Sequence, residues 1–462
     1  MGILSLINKK GLPASSTKLR TVPLRTVLGR DPYAPNYELD IQGGKGTKPY
    51  TLTEKITKYI EEIIYEDNAD QFDHLQIEIT NQADDKGGGD ILSIIDSKLP
   101  SEGSIINVKM GYGNSLLSVG AAELVMKSPS FGNSGLSLML EGYDLLHRMF
   151  RSNPRTGHSY TNLRYSQIAS IIGERNGFVI SANDPSTFKG IRKTEQIYEA
   201  GAQNKGVNDY RFLKKLADTI GFDLFSKFDS STNRFILFFQ PPSVAKQKEV
   251  FTFAYNEGDV SYPNSIIEFD VTLDAGDQAT DFEIYIVKNK EIGGTKSAHI
   301  EWLGIEEQNK IREMRERRFT GGNPGIQNGR QLPENDSVVY AFKAFGKSFL
   351  FPTHKRFKNE NEARNSIIQF IARQRENFIT GNGRLVGNEA LQSRQIHNLQ
   401  GLGDQFSGKY YFTNVKHIMS RRGGYSCEFS CRKVIEDPFI QAPPAFTISE
   451  NDKRFEKLKG ER

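Results

Sequence analysis

A chain of 462 residues is longer than a single ordinary core organises, so two to four domains are expected. Aromatic residues at 11%, 30 of them Phe, exclude wholesale disorder, and 42 Gly among short alternating segments point to a β-rich, loop-rich architecture. With 60 basic against 56 acidic residues interspersed, the net charge of +4 gives no case for a nucleic-acid binder, and no run nears the ~18 apolar residues of a membrane span.

The N-terminal "MGILSLINKKGLPASS" lacks a basic region ahead of its apolar run and only approximates a myristoylation motif, so no membrane anchor is expected. Residues 1–50 are mixed, and the glycine turn "IQGGKGTKP" lacks phosphate-loop spacing. "TEKITKYIEEIIYED" (53–67) reads as an amphipathic helix, with Ile56, Ile60, Ile63 and Ile64 on one stripe. Strands follow in "HLQIEIT", "SIINVKM", "AAELVMK" and "LSLML"; the acidic "DDKGGGD" (84–90) between them lacks EF-hand spacing and reads as a loop tip.

In "SGLSLMLEGYDLLHRMF" (134–150) the apolar period changes from two to helical, so a strand hands over to a helix through Glu141-Gly142-Tyr143-Asp144. Two helix–Gly–strand units come next. The first has Ser166 as cap, Ile168, Ile171 and Ile172 as stripe and Gly177 as stop; the second has Asn208 or Asp209, then Phe212, Leu213, Leu216 and Ile220, then Gly221. "DLFSKFDSSTNRFILFFQP" reads as a hairpin.

Alternation returns in "NSIIEFDVTLD" and "DFEIYIV". Residues 299–319 read as helical in their charged half, 320–337 as a Gly-, Pro- and Asn-rich segment ordered by a neighbouring component, and 359–378 as a helix. "KYYFTNVKHIMSRRGGYSCEFSCRKV" is two strands turned at Arg421-Arg422-Gly423-Gly424. Cys427 and Cys431 share a strand face with Tyr425 and Phe429. Four positions of strand span roughly 13 Å and a disulfide needs Cα atoms about 5.5 Å apart, so they read as small core residues made in a reducing cytoplasm.

The seven histidines form no metal-ligand spacing, and no nucleophile motif appears, so the chain is read as non-enzymatic, without metal or cofactor. His147 and His417 read as hydrogen-bonded structural residues.

Two stretches resemble the late control gene D family of contractile phage tails, related to the hub part of type VI secretion spike proteins. One runs from "LEGYDLLHR" through the helix–Gly–strand units and carries Gly142, Tyr143 and Asp144. The other is "FSGKYYFTNVKHIMSRRGGY", with Gly408, Tyr410, His417, Gly424 and Tyr425. The resemblance implies an α+β, β-rich chain with two tube-protein-like β-barrel domains and inserted α+β domains. The first barrel would occupy 1–142, an insertion 143–248, the second barrel 249–292 with 380–434, a helical and loop region 293–379, and a tail 435–462.

It also implies a baseplate hub: a pseudo-hexameric homotrimer joining the hexameric tail tube to a trimeric spike, within a phage or phage-tail-like particle assembled in the bacterial cytoplasm. Expected partners are its own copies, the tail tube protein, other baseplate proteins and the tape measure protein. The chain continues only 28 residues past Val434 without β-helix repeats, so the spike is expected to be a separate polypeptide. The alternatives are a peptidoglycan hydrolase or glycan-binding tail protein, and a monomeric carrier. If the strands line a channel, the acids of their polar faces, Glu78, Glu268, Asp270, Asp274 and Glu283, are the candidate lining residues.

Overall fold

A computed structural model describes residues 34–43, 49–80, 99–132, 135–151, 160, 163–183, 197–198, 207–220, 222–241, 249–255, 265–279, 281–291, 294–302, 337–346, 349–350, 374–434 and 446–450. The first part contains β1 (Pro35–Gln42), β2 (Tyr50–Thr51), α1 (Glu54–Thr57), β3 (Ile60–Asn68), β4 (His74–Thr80), β5 (Ile105–Tyr112), β6 (Ser115–Gly132) and β7 (Gly135–Tyr143). Next come α2 (Leu146–Arg151), β8 (Leu163–Arg164), α3 (Tyr165–Arg175), β9 (Val179–Ala182), β10 (Ile197–Tyr198), α4 (Asp209–Ile220), β11 (Asp223–Asp229) and β12 (Arg234–Gln240). The remainder begins with β13 (Thr252–Ala254), β14 (Ile266–Leu273), β15 (Asp281–Glu291), β16 (Gly294–Trp302), α5 (Ser337–Phe345) and β17 (Phe349–Leu350). It ends with β18 (Ile379–Val386), β19 (Ile396–Gln400), α6 (Gly403–Phe406), β20 (Gly408–Ser420), β21 (Gly424–Lys433) and β22 (Phe446–Glu450).

The dominant feature is a 13-stranded sheet whose main path runs β14-β18-β21-β20-β3-β4-β7-β6-β5-β1-β2. Strands from both ends of the sequence meet in it at β20 and β3, paired antiparallel from Asn414↔Asn68 to Ser420↔Glu62. The sheet curls over one core. Tyr112 of β5 donates to Gly387 O at 3.1 Å and its ring lies 5.7 Å from Tyr425 of β21, far away along the sheet. Gly120 of β6 sits so close to β3 that an added Cβ would stand 2.1 Å from the Tyr65 ring. Leu39, Ile63, Ile77, Val108, Phe253, Phe412 and Cys427 fill the space between, all buried, and each such side chain contributes about 1.5–3 kcal/mol.

The inserted part is built on a second core. Its three-stranded sheet, β11-β12-β9, carries β9 parallel to β12, and α2, α3 and α4 pack Met149, Ile168, Ile172 and Leu213 against Leu237 and Phe239. The two helix–strand successions are α3–β9 and α4–β11, with Gly221 of the second outside the described residues. The first stops at Gly177 with φ +89°, where its N–H meets Glu174 O and Phe178 N–H meets Gly173 O. The second is capped by Asn208, whose side chain accepts Arg211 N–H at 2.8 Å. The cap of α3 is Arg164 rather than Ser166, its N–H held by the Gln167 side chain at 2.9 Å. Ile171 is exposed rather than part of the stripe.

Three sequence expectations change. Residues 53–67 are not one helix; only α1 is helical, and 60–68 form β3. A bulge between Ile60 and Glu62 spaces the buried Ile60 and Ile63 three apart, which with Ile56 imitates a helical stripe. β1 was hidden in the mixed N-terminal stretch, where only Leu39 and Ile41 mark the alternation. β15 does not continue the strands of β14 but pairs with β16 and β17 in a four-stranded sheet, β17-β15-β16-β22. The loop 84–90, the charged segment 303–319, residues 320–336 and helix 359–373 lie outside the described residues.

Candidate functional site

Eight consecutive strands of the large sheet, β14-β18-β21-β20-β3-β4-β7-β6, present one face to the core and the other outward. Across the outward face runs a ladder in which charge alternates: Glu268 faces Arg384, Arg384 faces Glu428, Glu428 faces Lys416, and Lys416 faces Glu66. Glu66 then faces His74, which stacks on Tyr143 with ring centroids 4.7 Å apart. Lys416 Nζ stands 3.9 Å from Glu428, and His74 Nε2 is 3.7 Å from Glu141. Such half-exposed pairs set register more than they stabilise, at about 0–1 kcal/mol each.

Beside the ladder the balance turns acidic. Glu62 faces Glu78 directly, and burial followed by Glu78, Glu428 and Glu61 raises the Glu62 carboxyl above its ordinary value. Asp270 lies in a row with Asn382, Ser430, Asn414 and Asn68. In its central rows the face carries the carboxylates Glu62, Glu66, Glu78, Glu141, Glu268, Asp270 and Glu428 against the permanent cations Arg384, Lys416 and Arg432. A chain of net charge +4 has gathered a net negative surface on one sheet.

Of the five acids singled out in the sequence, this face brings together Glu78, Glu268 and Asp270. Asp274 follows β14 and folds back, its Oδ1 accepting Gly276 N–H at 2.8 Å. Glu283 sits opposite Glu301 in the four-stranded sheet, apart from the others. Sequence reasoning missed Glu62 and Glu66 because their segment read as a helix. Lys109 of β5 pairs instead with Glu38 and Asp40 on β1, at 2.7 and 2.6 Å.

Behind this face lies a buried junction of the two β regions and the insertion. Asp144, directly after β7, accepts Leu146 N–H at 3.0 Å to start α2 and Ser226 O–H at 2.7 Å from β11. Its own N–H donates to Asp73 O. Asp73 accepts Tyr65 O–H and Asn68 N–H, both at 3.1 Å. Asp67 accepts Ser393 N–H at 2.9 Å and Arg394 Nη1 at 3.2 Å, while the guanidinium lies 4.3 Å over the Phe225 ring. Arg394 holds this place with φ +63°, a conformation costly for a side-chain-bearing residue.

Burial, then the Asp67 and Asp144 carboxylates, push Asp73 well above the usual range. Burial raises Asp144 to about 7 against its hydrogen bonds from Ser226 and Leu146. Burial also acts on Asp67, but Lys227, Arg394 and the Ser393 hydrogen bonds outweigh it and hold that carboxyl low. Lys227, Arg394 and Ser393 thus shift one carboxyl down while burial shifts its two neighbours up.

No protein-family model matches the sequence, and no curated protein matches it. Among solved structures, the 43 kDa tail protein of prophage MuSo2 from Shewanella oneidensis superposes with a TM-score of 0.55 at 11% identity, covering 88% of this chain and 99% of that one. The tail protein from Neisseria meningitidis MC58 superposes with a TM-score of 0.52 at 10% identity, covering 86% and 97%. The chain has the fold of these tail proteins.

Within this tail-protein fold the motif residues do structural work. Gly142 lets β7 pass β6, where a Cβ would stand 2.8 Å from Glu123 O. Gly408, with φ +136°, opens β20, and the buried Tyr410 donates to Phe406 O at 2.6 Å. Gly424, at φ +73°, closes the β20–β21 turn. His417 is fully buried: its Nε2 meets Leu391 O at 3.0 Å, so that nitrogen carries the proton, and Nδ1 accepts the Tyr425 O–H at 2.7 Å. Burial depresses His417 to about 4, so the imidazole stays neutral. His147 likewise bonds locally, Nδ1 to Asp144 O at 2.7 Å.

Proposed function

We propose that the protein is a structural, non-catalytic hub of a contractile tail baseplate, a homotrimer that joins a hexameric tail tube to a trimeric spike. The observation that carries this reading is the single outward face spanning eight strands, four from residues 60–143 and four from 266–433. Two four-strand units per chain, tripled, give six units, the symmetry needed to meet a hexameric tube on one side and a trimeric spike on the other. The tail-protein fold supports the same assignment.

In this reading residues 1–142, and 249–279 with 380–434, are the tube-like units, β15 being left to the separate four-stranded sheet, and the outward face lines the channel. Glu78, Glu268 and Asp270 then belong to the lumen. A wall with excess carboxylate repels passing DNA and keeps a polyanionic cargo from adhering. The tube protein, a separate spike, other baseplate proteins and the tape measure protein are the partners, and the particle assembles in the bacterial cytoplasm. Light scattering of the purified protein tests the stoichiometry: a mass of three chains is expected, and a stable monomer or closed dimer rejects the hub.

A further inference from the structure

Two short strands stand off the main path of the large sheet. β13 joins β19 in parallel, from Thr252↔Asn398 to Ala254↔Gln400, and β19 joins the first four residues of β20. Val250 N–H to Ile396 O, Asn398 N–H to Phe251 O and Tyr255 N–H to Gln400 O, each at 2.9 Å, knit the two strands into one flap. Phe253 and Leu399 carry it into the core, both fully buried. The chain leaves β19 through Gly401 and Gly403, both at positive φ. A unit this small, held along one short edge, opens at lower cost than the whole sheet unfolds.

The flap carries His397 inward. The side chain is fully buried, and neither ring nitrogen has a hydrogen-bond partner among the described residues. Phe251 stacks on the imidazole with centroids 5.6 Å apart, and Phe253 and Phe412 stand across it at 5.6 and 4.4 Å. Even a neutral imidazole has one donor and one acceptor, and burying them unmet costs free energy. His417 is equally buried, but both of its nitrogens are used. Among the described residues no charged group faces His397. β13 offers it Phe251 and Phe253, and β20 offers Phe412 and Tyr410, whose O–H goes to Phe406 O. On β21, Cys431 lies opposite Phe412, and burial raises both Tyr410 and Cys431, so neither supplies a charge. The pair Lys409–Glu249, 3.1 Å apart, stands exposed at the rim. Burial alone takes His397 from its ordinary 6.5 to about 3.

We propose that β13 and β19 form an acid-released flap: when His397 takes up a proton the two strands leave the core together, while β3 and the β20–β21 hairpin stay in place. Opening uncovers an aromatic floor, Phe412 stacked on Phe429 with centroids 4.4 Å apart. The flap belongs to a single copy and stands apart from the hub reading. An exposed imidazole holds its proton more tightly than the buried one, so open flaps gain on closed ones as pH falls below 6.5. The gain approaches about tenfold per pH unit and ends near 3; above 6.5 closure does not depend on this residue's titration.

The experiment is hydrogen exchange of the full-length protein, read by mass spectrometry from pH 6 to 4, with each rate divided by the intrinsic rate at that pH. Protection of residues 251–254 and 396–400 should fall by about tenfold per pH unit, while residues 60–68 and 415–433 keep theirs. His397→Leu should make the flap's protection independent of pH. His397→Gln, polar but without a titrating proton, should do the same from a lower starting value, and it carries the comparison if the leucine variant does not fold. Flap protection that does not change with pH in the unmodified protein, or a slope that survives the substitutions, overturns the proposal. So does loss of protection in residues 60–68 in step with the flap, because the whole sheet is then unfolding.

Discussion

Carboxylates gather in two places in this molecule, and they behave in opposite ways. In the central rows of the outward face seven of them stand among three cations in a half-exposed ladder, where water screens each pair. At the buried junction three of them share one arginine, and two carry raised pKa values. The first arrangement makes a surface field at little cost in stability. The second makes a joint whose strength depends on pH and on the charges of Arg394 and Lys227.

The largest effect that would sharpen the contrast is expected from Arg394→Met. It leaves Asp67 buried with Ser393 but without its nearest cation, a loss of about 3–5 kcal/mol. Urea unfolding should show it; a change below about 1 kcal/mol would mean the junction behaves like the surface ladder.

The pH dependence comes next. Because Asp73 and Asp144 have raised pKa values in the fold, their stabilising contribution is complete below their ordinary carboxylate range. It is lost as pH rises through the folded values, for Asp144 through about 7. Asp67, held low, acts the other way and loses its contribution only in acid. Asp144→Asn should therefore flatten the decline in stability between pH 5 and 8 by a few kcal/mol, since each tenfold change in a group's proton affinity on folding is about 1.4 kcal/mol. Parallel pH profiles for the two proteins would contradict this.

On the outward face the expected changes in stability are small. Replacing Glu268 and Asp270 by Lys should leave folding and mass intact and shift stability by about 0.5 kcal/mol or less, while lowering ejection or infectivity of the assembled particle. Normal ejection by the charge-reversed particle would separate the face from cargo passage. The smallest effect is Glu78→Gln, which relieves the Glu62–Glu78 repulsion and should stabilise by about 0.2–0.5 kcal/mol; destabilisation would show that the pair is not repulsive.

Much of the local structure was legible in the sequence. The period change at Glu141–Asp144, the two helix–strand successions and the β20–β21 hairpin were all written in apolar spacing and turn residues. β3 was not, because a bulge moved its buried positions to helical spacing. The outward face was legible strand by strand, as with Glu428 opposite Cys427 and Phe429. Its continuity was not, since the pairing of Lys416 with Glu66 joins residues far apart in the chain. The buried junction was least legible: Asp67 and Arg394 are 327 positions apart, and neither sits in a motif.

Imaging the assembled particle to side-chain detail is the most direct test of the hub reading. The account predicts three copies in a pseudo-sixfold ring with Glu78, Glu268 and Asp270 facing the central channel. A particle in which these three side chains all lie on the outer surface, or one with a copy number other than three, would contradict it.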